Sequence, residues 1–171
     1  MAMIEMRDVD PQGEDALALL REAAADARAL YPELFVGALT APTNGPLPER
    51  GVYVVAYLDE RPLACGAFRP LDQGSAEIRR IYVHREHRRA GLAKALLAHL
   101  AMRAAGLGYR RLVLETGYKQ LPAMRLYESC GYSRIAAFGE YANDPTSVCY
   151  ERLLQSDEQD AGRAGDLNEN G

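Results

Sequence analysis

Long apolar runs are missing from this chain. No segment approaches the ~20 residues that a membrane-spanning helix needs, so no membrane partner is expected. Met1 to Asp10 lack the basic-then-apolar order of a secretory leader. Cysteine is scarce: Cys65, Cys130 and Cys149 are odd in number and lack metal-ligand spacing. That argues against a disulfide frame or a zinc site and for reduced thiols in a cytoplasmic protein. His84 and His87 flank Glu86 but lack a third ligand in sequence, so no metal is expected there. A basic excess is missing too. Gln155 to Gly171 holds Asp157, Glu158, Asp160, Asp166 and Glu169 against Arg163, and this net −4 equals that of the whole chain. The body is formally neutral, which argues against a nucleic-acid binder. Lysine is rare beside arginine, a compositional bias rather than a site, and there are no internal repeats.

What remains suits one domain. The chain has 171 residues, 48% hydrophobic and 26% charged, enough for a sizeable core. Residues 1–154 read as that domain and 155–171 as an acidic, disordered tail. Met3 to Val9 reads as a strand. Glu14 to Leu30 reads as a helix, with Leu17, Leu20, Ala24 and Ala27 at helical spacing and Pro32 limiting it. Tyr31 to Leu39 is a candidate small helix, and Ala41 to Pro48 a loop. Gly51 to Leu58 and Leu63 to Arg69 form a hairpin around Asp59-Glu60-Arg61-Pro62, followed by a strand over Ala76 to Val83. Gly91 to Ala105 reads as a helix with Leu92, Leu96, Leu97, Leu100 and Ala104 on one face. Arg111 to Thr116 follows as a strand parallel to the one before that helix. Pro122 and Gly131 bracket a further helix. Tyr132 to Phe138 and Val148 to Leu154 are the final strands. Antiparallel strands plus one parallel unit make a mixed-sheet α/β (α+β) domain.

Glu77 to Tyr132 is the informative stretch. A strand feeds a basic, glycine-containing loop, Arg88-Arg89-Ala90-Gly91-Leu92-Ala93, into a helix. The first turn of such a helix has free N–H groups and the positive end of the dipole, so it makes an anion site. Gly91 allows close backbone approach to a pyrophosphate, and Arg89 and Lys94 add charge. Taken alone this is as readily a solvated basic turn. The next helix carries Tyr127 and should lie beside the site. A phosphate-bearing cofactor next to a phenol is the expectation.

Two motifs in order carry a resemblance. Arg88, Gly91 and Ala93 fit the loop pattern of the Gcn5-related N-acetyltransferase (GNAT) superfamily, with Ala93 where glycine is commoner. Ala123, Leu126-Tyr127-Glu128 and Gly131-Tyr132 fit its later signature. The resemblance covers roughly residues 50 to 154 and implies an acetyl-CoA-dependent N-acetyltransferase. It implies that Ala76–Val83 and Arg111–Thr116 splay apart around acetyl-CoA. The backbone of Ile81, Tyr82 and Val83 would pair with the pantetheine, and Arg88 to Lys94 would hold the phosphates. Gln120 stands where the family often has a cofactor-binding asparagine.

The resemblance also implies two catalytic groups. Tyr127 would assist the leaving thiolate, and Glu77 matches the catalytic glutamate of histone acetyltransferases in its spacing from Arg88. Other readings remain open: Tyr127 as a core tyrosine, and Glu77 as a structural carboxylate paired with Arg79 or Arg80. Cys130 reads as a small core residue rather than a nucleophile. Tyr31, Phe35, Arg79, Tyr118 and Tyr141 are substrate-binding candidates, suited to a small amine bearing a carboxylate. A protein N-terminus or lysine as acceptor, a non-catalytic acyl-CoA module and a homodimer are left open.

Overall fold

A computed structural model describes residues 3–34 and 41–155 of the chain. In chain order the elements are β1 (Glu5–Asp8), α1 (Glu14–Leu30), β2 (Val52–Leu58), β3 (Arg61–Pro70) and β4 (Ser75–Val83). They continue with α2 (Leu92–Gly106), β5 (Arg111–Gly117), α3 (Leu121–Ser129), β6 (Ser133–Ile135) and β7 (Ser147–Leu153). The strands form a seven-stranded sheet in the order β1-β2-β3-β4-β5-β7-β6. Every neighbouring pair is antiparallel except β4 and β5, which are parallel. This is the expected mixed-sheet architecture. None of the helices among the described residues is long and apolar enough to cross a membrane.

The two sheet faces bury different sets. On one face α2 contributes Leu92, Leu96, Leu97, Leu100, Ala101 and Ala104. These pack with Val52, Val54, Phe68, Ile78, Leu112, Leu114 and Tyr150, and Tyr127 of α3 joins them. On the other face α1 lays Ala16 and Leu19 against Tyr53, Val55, Tyr57, Cys65 and Ala67. The buried stripe of α1 runs through Ala16, Leu19 and Leu20, with Leu17 only half-buried. Polar residues of α1 reach the sheet as well: Tyr57 donates to Asp15 (2.6 Å) and Tyr82 to Glu22 (3.2 Å).

Several elements differ from the sequence reading. The first hairpin turns on Asp59 and Glu60 alone, with φ of 48° and 64°, and β3 already starts at Arg61. Both residues take the left-handed conformation that a two-residue hairpin loop needs. The expected helix after Tyr31 is a single 3-10 turn, Pro32–Leu34; residues 35–40 lie outside the described residues, as does the tail from residue 156. The strand expected over Tyr132 to Phe138 shrinks to Ser133–Ile135. The chain then leaves the sheet for a 3-10 turn at Gly139–Tyr141, where Phe138 and Tyr141 meet edge-on at 5.3 Å. β7 inserts between β5 and β6, an order that the sequence did not suggest.

One feature of the sheet positions everything that follows. β4 pairs with β5 only from Ser75–Arg111 to Ile78–Leu114. Beyond that, β4 keeps its bonds to β3 and β5 keeps its bonds to β7, but the two have no pairing with each other. A register shift between Cys65 and Ala67 marks a bulge in this part of β4, where Arg80 adopts φ of 63°. A bulge increases local twist and bends its strand. The sheet therefore opens toward the carboxyl ends of its two parallel strands, the end at which open α/β sheets hold ligands.

Gly66 sits opposite the bulge. A Cβ there would lie 2.8 Å from Ile81 Cδ1 and 2.9 Å from Leu100 Cδ1, so α2 rests directly on the backbone of β3. Gly66→Val should destabilise the fold by about 1–3 kcal/mol through overpacking. Urea or thermal unfolding of the variant checks this, and parent-like stability would mean that α2 has slack at this contact.

Candidate active site

The loop after β4 is held from below. Arg88 donates from Nε to the Val83 carbonyl (2.9 Å) and from Nη2 to Asp26 of α1 (2.6 Å), and its guanidinium lies 5.6 Å from the Tyr82 ring centroid. Arg85 reaches the same Asp26 at 3.4 Å. Arg88 thus serves as an anchor for the loop. Arg89 and Gly91 both take positive φ, 68° and 79°. Gly91 caps α2, and its carbonyl accepts the first intrahelical bond, from Ala95 at 3.1 Å. The N–H groups of the preceding turn, Leu92 to Lys94, have no helical acceptor. Open space surrounds the Gly91 Cα, the Leu92 side chain turns into the core, and the first turn of α2 has no acidic residue. Arg89, Ala90 and Lys94 are exposed around it. Free donors, a dipole, open space and positive charge suit a pyrophosphate.

The gap between β4 and β5 begins a few residues away. Ile81, Tyr82 and Val83 line its β4 edge; β3 pairs with Tyr82 and Val83 from the other side, and Ile81 lies in the bulge. Gln120 caps the amino end of α3, and its side-chain amide makes no hydrogen bond among the described residues. Tyr127 lies deeper. Its ring is 7% exposed and packs 6.0 Å from Tyr132 and 6.1 Å from Tyr150. Its hydroxyl has no hydrogen-bond partner among the described residues, unlike that of Tyr150, which donates to Glu128 (3.0 Å). Burial, with lesser repulsion from Glu115 and Cys130, pushes the Tyr127 phenol up to about 12. It therefore keeps its proton at neutral pH and has that proton to donate.

Glu77 is 3% exposed and fully engaged. Arg69, its cross-strand partner, donates to Oε1 from Nε at 3.0 Å and makes an ion pair with the same oxygen at 3.0 Å. Tyr141 donates to Oε2 at 2.7 Å. The partner is Arg69 rather than Arg79 or Arg80. Burial, then the bond to Glu77 and its charge, raises the pKa of Tyr141. The sheet alternation puts Glu77, Arg79 and Glu115 on the face opposite α2.

Glu115 escaped the sequence reading. It is the first residue of β5 past the last pair with β4, half-buried, and accepts from Ser147 at 3.0 Å. Burial raises its pKa most, the Ser147 bond opposes this, and the charges of Asp144 and Glu77 add to it. An acidic residue ending the apolar run Leu112-Val113-Leu114, at the carboxyl end of a parallel strand, was the available signal.

The other substrate candidates divide. Tyr31 is buried, and its hydroxyl accepts the Lys119 N–H at 2.9 Å, so it docks the end of α1 onto the segment after β5. Tyr118 is exposed and lies edge-on to Tyr31 at 6.1 Å. Phe35 lies outside the described residues. Arg79 lines a cavity of about 310 Å³ together with Arg69 and Arg80. Cys130 caps the carboxyl end of α3, and all three cysteines are free. His84, Glu86 and His87 bring one ligand atom each within 4.8 Å of one another, although His84 Nδ1 already accepts the Glu86 N–H at 3.3 Å.

Comparison with known proteins agrees with this geometry. The chain is 42% identical over 92 residues to the uncharacterized N-acetyltransferase YsnE of Bacillus subtilis, covering 53% of the chain and 61% of YsnE. It thus spans about three fifths of that relative. An acyl-CoA N-acyltransferase structure from Klebsiella pneumoniae superposes with a TM-score of 0.74 at 30% identity, covering 90% of this chain and 99% of that one. A GNAT family acetyltransferase from Elizabethkingia anophelis, solved with acetyl-CoA bound, shares the fold. Its TM-score is 0.63 at 18% identity, over 88% of this chain and 98% of that one. The model of the acetyltransferase (GNAT) family matches residues 16–132, from α1 through both motifs, and the chain belongs to that family.

Proposed function

We propose that the protein transfers the acetyl group of acetyl-CoA to a primary amine of a small, amino-acid-like molecule, by direct attack in a ternary complex. The observation that carries this reading is the unpaired edge between β4 and β5. The free N–H groups of α2 follow the loop that leaves β4, and the protonated Tyr127, on the helix after β5, has a hydroxyl without a hydrogen-bond partner among the described residues. The loop from Arg89 to Lys94 would hold the phosphates. The exposed backbone of Ile81 to Val83 would pair with the pantetheine arm, and Gln120 would add an amide contact. Backbone N–H groups of the β4 edge would polarise the thioester carbonyl. The amine nitrogen forms a bond to that carbon, the carbon–sulfur bond breaks, and Tyr127 protonates the departing thiolate.

The amine must also lose a proton. Both oxygens of Glu77 are already engaged, so direct contact with the amine is the less natural route. Tyr141 offers a relay: its oxygen takes the amine proton while its own proton passes to Glu77 along the 2.7 Å bond. Glu115, half-buried and close enough to influence Tyr127, is a second carboxylate at the same opening.

Four experiments test this reading. Calorimetry should show acetyl-CoA binding to the metal-free protein, and Gly91→Asp should abolish it by placing a carboxylate against the pyrophosphate. Unchanged affinity would remove the loop assignment. Tyr127→Phe keeps the ring packing and should lower turnover roughly 10- to 10³-fold with little effect on cofactor affinity. Parent-like turnover with a clear loss of stability would make Tyr127 a core residue only. Glu77→Gln and Tyr141→Phe should each slow turnover, on the order of 10²-fold if the relay is the base. The loss should be largest at low pH, where the amine is mostly protonated, and should shrink as pH rises. Matching pH–rate profiles for Tyr141→Phe and the parent would exclude the phenol as relay. Acetyl-CoA binding without thiol release over a broad amine panel would mark a non-catalytic acyl-CoA module instead.

A further inference from the structure

We propose that the cavity bounded by the 44–48 loop and strands β2 to β4 binds an oxyanion carried by the acceptor, a carboxylate or a phosphate monoester. This rests on the N-acetyltransferase reading and adds the chemical class of the acceptor.

The cavity, about 310 Å³, has Arg69, Arg79 and Arg80 in its wall and no acidic residue. The chain as a whole is acidic, so this cluster is not the local share of a general basic excess. Arg69 is compensated by Glu77, and more distantly by Glu140 at 3.6 Å. Arg79 makes no hydrogen bond or ion pair among the described residues. Arg80 makes one side-chain bond, from Nε to Asn44 Oδ1 at 2.9 Å, and its two terminal nitrogens are unpaired there. Burial first, and then Arg79, make the charged form of Arg80 less favourable; Tyr53 and Cys65 oppose this, and Arg69 adds the smallest share. A guanidinium keeps its proton at neutral pH, so an entering anion would be favoured here.

The second observation is that Arg80 is aimed. Asn44 is 5% exposed, donating to the Pro11 carbonyl (2.7 Å) and to the Tyr53 hydroxyl (3.2 Å), which leaves its oxygen facing Arg80. A buried amide, locked at both donors, thus holds the Arg80 fork through Nε, and the Nη nitrogens of this cavity-lining residue have no partner among the described residues. The bulged backbone helps: the left-handed conformation of Arg80 puts Arg79 and Arg80 in one wall although they are sequence neighbours. A preset guanidinium fork matches a carboxylate or phosphate in two-point geometry.

Location connects the cavity to the reaction. Arg79 and Arg80 are the first β4 residues past the last pair with β5, and Arg69 bridges to Glu77 and so to Tyr141. An acceptor anchored here by its anion would present its amine at the opening beside that relay. The cavity is not a second phosphate site for the cofactor. It lies at Arg79 and Arg80, whereas the loop begins after Val83; from Arg79 to Val83 β4 spans three residues of β3, about 10 Å along the strand.

Matched amines test the proposal: β-alanine against β-alaninamide, phenylalanine against phenylalaninamide, and phosphoethanolamine against ethanolamine. Each is assayed for thiol release from acetyl-CoA, and each is titrated calorimetrically into the protein saturated with CoA. The anionic member of at least one pair should be favoured about 10- to 100-fold, the worth of a hydrogen bond to a charged group. Arg80→Gln should erase that preference while leaving CoA affinity unchanged, and Arg79→Gln provides a second variant should the first fold poorly. A lead for phosphoethanolamine identifies phosphate, and a lead for an amino acid identifies carboxylate. Equal handling of every pair, a preference for the neutral members, or a preference that survives both substitutions overturns the proposal. Failure of the catalytic reading looks different: no amine yields thiol, while calorimetry on the CoA complex still reports whether the anion binds.

Discussion

The interruption of pairing between β4 and β5 is the constraint on which the rest of the molecule depends. A sheet interior normally satisfies its backbone groups on both sides. Here β4 from Arg79 to Val83 has β3 on one side and no strand on the other, and β5 from Glu115 to Gly117 has only β7. The gap leaves backbone donors and acceptors for a ligand that can behave as a strand. It also brings to one place groups rooted on opposite faces. Tyr127 belongs to the core under α2 and α3, whereas Glu77 and Tyr141 lie on the α1 side.

Around that gap the charges divide into two kinds. Some arginines are structural: Arg88 and Arg85 meet Asp26 and tie the loop after β4 to α1, and Arg69 meets Glu77. Arg79 and Arg80 make no ion pair among the described residues and stand in the wall of a cavity, although the charge of Arg79 also acts on Glu115. The same residue type thus fixes the frame in one place and offers charge in another, and only the partner tells the two apart. The carboxylates divide likewise. Glu77 is fully committed to Arg69 and Tyr141, while Glu115 has Ser147 alone and a raised pKa.

α1 gains a role beyond covering apolar surface. Through Glu22 it bonds Tyr82, through Asp26 it holds Arg85 and Arg88, and its final turn leads to Tyr31, which accepts the Lys119 N–H. The helix therefore braces both sides of the opening, the β4 end and the segment after β5. Tyr31, attractive as a recognition residue because tyrosines suit binding sites, also serves as a brace through its hydroxyl oxygen.

The sequence by itself determined most of the elements and the family. Helical spacing of leucines placed α1 and α2, the position of Gly91 marked where α2 begins, and Pro122 and Gly131 bounded α3. These signals are local, carried by residues within a turn or two of one another. The loop and the tyrosine helix were legible for the same reason. Tertiary structure alone decided the rest. Nothing in the chain near Glu77 says that its partners are Arg69 across a hairpin and Tyr141 in a distant turn. Nor does it say that Asn44 will orient Arg80, or that β7 will insert between β5 and β6. Those contacts join residues tens of positions apart, and their energy exists only once the strands have found their order. A side chain's type fixes what it can bond, but the sheet decides what it will meet.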